Sequence, residues 1–301
     1  MDNSILLILG LAPLCSMVSL YLIERFSRMA ILENQLEVLV FEERLSLQSC
    51  YRIVERFWSI LPARCPSCST THRPWHFLSL LSLRRRCRSI PIKDSLLAES
   101  FFVASLALFA SKYGSSPGVS LLALYLISFV VITVIDFRYY IIPDEINFIG
   151  VVWGLAFSAY ITLTNKFAVF SPLPDVGFVD SVQGMLVGAG VLYALGSIAS
   201  QLLNRDAMGG GDIKLCAFFG ACFGLEATLL CLALASILGS IFGVFSMLKA
   251  KVIEHSKGYT MIAFGPYIII SMIIVLYYGP QQLIHSYQDF SQRLFKEYLL
   301  F

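Results

Sequence analysis

The sequence predicts an all-α, polytopic integral membrane protein of about eight transmembrane helices, with one cytoplasmic loop domain that contains cysteines. Three observations carry this. The 301-residue chain is 57% hydrophobic and only 14% charged, a balance that soluble domains of this length rarely show. Its apolar residues gather into stretches of about 20, the length an α-helix needs to cross a hydrocarbon core of about 30 Å. Its charges are segregated, with 12 of the 22 lysines and arginines inside residues 24–95.

Taken in order, the apolar stretches are 4–23, 96–113, 118–135, 145–164, 181–203 and 260–279. The first has only Asp2 before Ile5 and lacks the basic region of a cleavable signal peptide, so no such signal is expected. The stretch from Ile213 to Leu248 is too long for one crossing: as a single helix it would run about 50 Å. Division near Gly224–Leu225–Glu226 gives eight spans. The chain then reads as a first transmembrane helix (1–23), a cytoplasmic loop domain (24–95), a seven-helix membrane core (96–280) and an external tail (281–301).

Charge placement tests that division. Cytoplasmic loops carry an excess of lysine and arginine, which places 24–95 inside and the N-terminus outside. Counting onward, 136–145, 204–214 and 249–258 also face the cytoplasm and bring 18 of the 22 basic residues inside. A seven-span chain would move Lys249, Lys251 and Lys257 outside. With charges segregated this way, membrane lipid is an expected partner and nucleic acid is not.

Two turns on that face carry acids. In "VIDFRYYIIPDEI" (134–146), Asp136 closes one apolar stretch and Pro143 suits the start of the next helix. Asp144 and Glu145 sit where acids favour a helix N-terminus, whereas Asp136 opposes the dipole at a C-terminus unless something else uses it. In "NRDAMGGGDIKL" (204–215), Gly209, Gly210 and Gly211 permit a tight path and the close approach of another chain beside Asp212. Two carboxylates held at one depth share a proton, because like charges in close contact do not both ionise cheaply. One can then act as general base on water while the other polarises a carbonyl. Taken singly, each turn also reads as an ordinary loop.

Asp136 with Ile142–Pro143–Asp144, followed by Gly209–Gly210–Gly211–Asp212–Ile213–Lys214–Leu215, resembles the type IV prepilin peptidase family of membrane aspartic proteases. "FGPY" (264–267), "CPSC" (65–68), "LRRRCR" (83–88), Glu99 of "LLAES" and the Gly184/Gly188 helix fall in family order, so the resemblance spans roughly residues 60–280. It implies that Asp136 and Asp212 are catalytic and that Gly209, Gly211, Lys214, Asp144 and Glu99 support them. Glu99 lies one turn into its span, where an ionisable group is costly and tends to be functional; so near the interface it can equally snorkel. The implied substrate is a prepilin or pseudopilin, cut at the cytoplasmic face of a bacterial inner membrane where its short basic leader meets its apolar helix. Pilus or type II secretion machinery is the implied partner.

Proteolysis of this kind requires no cofactor. Many family members carry two C-x-x-C pairs suited to tetrahedral zinc; here Cys65, Cys68 and Cys87 remain, and Ile90 stands where a fourth cysteine is expected. Zinc on three thiolates with His72, His76 or Cys50 is one reading, and a packed loop with reduced thiols is the other. Five cysteines, Cys15, Cys216, Cys222, Cys231 and Cys50, read as small buried or incidental residues. The family often also N-methylates the new amino terminus with S-adenosylmethionine, but "LSLQSCYRIVERFWSILP" (45–62) departs from the pattern associated with that activity. Arg84–Arg85–Arg86 reads as a juxtamembrane patch on anionic lipid, and 31–45 as an amphipathic helix. Two other classes fit an apolar chain with acids in its turns: a transporter or channel, whose ion sites usually lie at the midplane rather than the membrane edge, and a non-catalytic assembly protein of a pilus or secretion system.

Overall fold

The computed structural model describes residues 92–114, 116–165, 172–204, 208–253 and 263–299, together with helical positions 15, 18, 19, 22, 23 and 26. All regular structure among the described residues is α-helical: α1 (Ile92–Tyr113), α2 (Pro117–Tyr139), α3 (Asp144–Thr164), α4 (Phe178–Leu203), α5 (Gly210–Ile253), α6 (Gly265–Tyr278) and α7 (Pro280–Leu299). Four of these, α2, α3, α4 and α5, are long and apolar enough to cross a membrane, or five if α6 and α7, bent by 88° at Gly279, form one broken span. The 31–45 helix, most of the 4–23 span, the 45–62 segment and nearly all of the 24–95 loop, its arginine cluster included, lie outside the described residues.

The chain divides into two compact units, Met1–Leu108 with Ala123–Ile141, and Phe109–Leu122 with Ile142–Phe301. In the first, Ala98, Phe102 and Leu106 recur every four residues along α1 and are at most 2% exposed, while Leu97, Val103 and Leu108 face outward. That division is what a helix with one packed and one exposed side shows. On α2, Leu126, Phe129 and Ile132 are fully buried. The sequence placed the end of this stretch at 135; the helix runs on to Tyr139, so Asp136 lies within its last turn.

In the second unit, α4 and α5 pack as an antiparallel pair along a seam of small residues. A Cβ added to Gly220 would strike the backbone of Gly184, and one on Gly188 would come within 2.7 Å of Thr228. Without a hydrophobic drive between helices in lipid, such close backbone approach supplies the packing. The Ser181 hydroxyl donates to the Ala221 carbonyl oxygen across the same seam.

The break in α5 falls at Gly224, one of the residues singled out from the length of the stretch. Its φ of 79° and ψ of −178° interrupt the helix, a conformation open essentially to glycine alone. The Leu225 N–H freed there donates to Asp180 Oδ1 at 3.3 Å, so an α4 carboxylate caps the second half of α5. Two helical halves meet at this single residue, inside the Gly224–Leu225–Glu226 segment at which the sequence divided the stretch. The "FGPY" stretch starts α6, with Pro266 in its first turn. Its aromatic residues cover α5: Phe242 and Tyr267 stack with centroids 5.4 Å apart. At the other end of α6, Lys112 Nζ donates to the Tyr277 carbonyl oxygen at 2.5 Å, a cation at a helix C-terminus.

Candidate active site

The first acid-bearing turn begins inside α2. Asp136 is 4% exposed, and its carbonyl oxygen accepts from the Tyr140 N–H at 3.0 Å. Tyr140 has a φ of 56°, the left-handed conformation that ends helices and is costly for a residue with a side chain. The chain then passes through Ile142 and Pro143, both buried, and Pro143 serves as N-cap of α3 in extended conformation. Asp144 and Glu145 are exposed in its first turn, where the helix dipole favours acids.

The second turn closes the α4–α5 hairpin. Asn204, at φ 50°, ends α4 with its N–H donating to the Ser200 carbonyl. Asp212 lies in the first turn of α5, half-buried, and its N–H donates to the Gly209 carbonyl oxygen at 3.2 Å. Gly209 and Gly210 are exposed, while Gly211 is not. A Cβ on Gly211 would lie 2.9 Å from the Ile142 Cβ.

The two turns are therefore joined at two points. Gly211 rests on Ile142, and Lys214 Nζ pairs with Asp144 Oδ2 at 2.5 Å with both side chains more than half exposed. Of the residues expected to support chemistry, Gly211, Lys214 and Asp144 thus come together beside Asp212. Asp136 belongs to the first compact unit and Asp212 to the second. Glu99, half-buried on α1, has a buried Oε1 with no hydrogen-bond partner.

Cys65, Cys68 and Cys87, with Ile90, Cys50, His72 and His76, lie outside the described residues. Among those described, no group of three His, Cys, Asp or Glu side chains is arranged to hold a metal. Cys15, Cys216, Cys222 and Cys231 are buried and in no disulfide, as their apolar surroundings in the sequence suggested. Two residues that the sequence did not single out carry structural weight. Asp180 caps the broken helix, and its signal was an acid among apolar residues near the start of α4. Asn147, a polar residue within an apolar span, is buried on α3.

The model of the type IV leader peptidase family matches residues 123–244, a segment that contains both Asp136 and Asp212. A prepilin leader peptidase/N-methyltransferase of Pseudomonas putida is 32% identical over 235 residues, covering 75% of this chain and 76% of the relative. The chain belongs to the type IV leader peptidase family. This is a family of aspartic proteases, and the chain is an enzyme of that class. An enzyme of the same description from Aeromonas salmonicida is 30% identical, covering 75% of this chain and 74% of its own length. The type 4 prepilin-like proteins leader peptide-processing enzyme of an Escherichia coli strain is 29% identical over 226 residues. No solved structure matches the chain.

Proposed function

We propose that this protein is a prepilin leader peptidase in which Asp136 and Asp212 form the catalytic pair. The observation that carries the reading is the family match over residues 123–244, which contains both aspartates. Within the second unit, Gly211 on Ile142 and Lys214 on Asp144 hold the Gly-Gly-Gly-Asp turn against the start of α3.

The chemistry follows from two carboxylates sharing one proton. The ionised member takes a proton from water, whose oxygen attacks the carbonyl carbon of the scissile peptide. The protonated member donates a hydrogen bond to the carbonyl oxygen and stabilises the charge that develops there. Collapse breaks the C–N bond, and a proton passes to the leaving amine. The glycines leave room for an extended substrate backbone beside Asp212, while Asp144 and Lys214 fix the turn.

In this reading the chain crosses the membrane eight times, once before the cytoplasmic loop and seven times in the core, with its N-terminus outside and both acids facing the cytoplasm of a bacterial inner membrane. Basic residues concentrated on the inner loops support that orientation. The substrate is a prepilin or pseudopilin of a pilus or secretion apparatus, cut between its basic leader and its apolar helix. Purified protein in detergent, given such a substrate, is expected to release the leader; failure to cleave overturns the assignment.

Two further activities belong to the same proposal. The names of the relatives support methylation of the new amino terminus from S-adenosylmethionine, which mass spectrometry of the mature product would reveal as one added methyl group. A structural zinc on Cys65, Cys68 and Cys87 would appear as stoichiometric metal in the purified protein and be lost on Cys68→Ser.

A further inference from the structure

Asn147 lies one turn into α3, on the face that turns Gly150 and Gly154 toward α5. It is 2% exposed, and neither Oδ1 nor Nδ2 of its carboxamide has a hydrogen-bond partner. A buried polar group left unpaired costs about 1–3 kcal/mol, and membrane surroundings offer no water to relieve it. Two orphaned atoms on one side chain therefore call for a use.

Position supplies one. Four contacts set the register of α3 against α5: Ile142 meets Gly211, Asp144 meets Lys214, Gly150 meets Phe218 and Gly154 meets Cys222. The partner's number exceeds the α3 number by 68 to 70 each time, so the two helices run parallel. Asn147 then lies level with Leu215–Ala217, about one turn deeper than Asp212. Helix side chains lean toward the N-terminus of their own helix. The carboxamide accordingly leans back toward the level of the turn that holds Asp212.

The chemistry of the group narrows what it meets. A carboxamide offers an acceptor and a donor side by side, as a peptide group does, and brings no charge into an apolar setting. A substrate opened for cleavage beside Asp212 presents peptide N–H and C=O groups that have lost helical partners. Where its apolar helix resumes, the first turn also carries orphan N–H groups.

We propose that Asn147 positions the substrate's peptide backbone, its Oδ1 accepting from an N–H and its Nδ2 donating to a C=O on the membrane side of the scissile bond. This rests on the reading of Asp212 as a catalytic residue of a leader peptidase. Asn147 itself does not act on the water or on the scissile carbonyl. Its contribution is to substrate binding, and its removal raises KM rather than lowering kcat.

The test uses the full chain in detergent with a synthetic peptide, a short basic leader followed by about 20 apolar residues. Asn147→Leu replaces an orphaned amide with an apolar side chain of similar size. It is expected to melt no lower than the wild type, to raise KM about tenfold and to leave kcat unchanged. Asn147→Gln, which keeps the amide, is expected to recover part of the lost affinity. An unchanged KM in Asn147→Leu overturns the proposal, as does a lower melting temperature with KM and kcat worsening together, the mark of a structural residue. Absence of cleavage by the wild type overturns the leader-peptidase reading itself, and cleavage by Asp212→Asn removes Asp212 from the site; in either case this proposal falls with them.

Discussion

Gly211 shows what a single residue contributes to the site. Its own backbone needs no glycine, but its contact with Ile142 does: a Cβ there would sit 2.9 Å from a Cβ fixed by the other turn. Gly211→Ala should push Asp212 out of place by a fraction of an ångström and slow cleavage about tenfold to a hundredfold. Ile142→Ala in the same chain should restore much of the rate. A double-mutant cycle checks this, and strict additivity would contradict it. The Asp144–Lys214 pair is a different case. Both side chains are more than half exposed, so Lys214→Gln should change stability by no more than about 1 kcal/mol, and by less in high salt. The place of Asp212 was legible in the sequence because three glycines before an acid leave a recognisable mark. Asn147 was not, since one asparagine in an apolar stretch looks the same whether its amide is bonded or orphaned.

Among the elements, α5 was the most legible. Its length exceeds one membrane crossing, and the break came at Gly224, two residues before Glu226. What the sequence did not reveal was how the break is held. The cap comes from Asp180, on a different helix and 44 positions away from Gly224, and local pattern carries no trace of such a pairing. Gly224→Ala would force a side chain into a conformation that costs about 1–3 kcal/mol and into the space of the Asp180 carboxylate. Asp180→Ala should cost about 1 kcal/mol through loss of the cap. Thermal unfolding in detergent measures both, and a Gly224→Ala protein as stable as the wild type would contradict the account. The α4–α5 seam was half legible. Gly184 and Gly188 stand out at helical spacing, but Gly220 as the partner of Gly184 emerges only from the folded hairpin.

At the scale of the whole molecule, composition and charge were enough to read a helical membrane protein. The number of crossings was less accessible, because a single glycine breaks α5 without a loop and α6 and α7 meet at 88°. Charge placement predicts the orientation. A reporter inserted at 204–208 should read as cytoplasmic and one at 166–171 as external; the reverse pattern would turn both aspartates to the wrong face. The central claim is that Asp136 and Asp212 together cut the leader from a prepilin. Its most direct test is co-expression of a prepilin with the wild type, Asp136→Asn or Asp212→Asn, each confirmed present in the membrane and scored by the mobility shift of leader loss. The account predicts full processing by the wild type and none by either variant; processing at the normal rate by either one would contradict it.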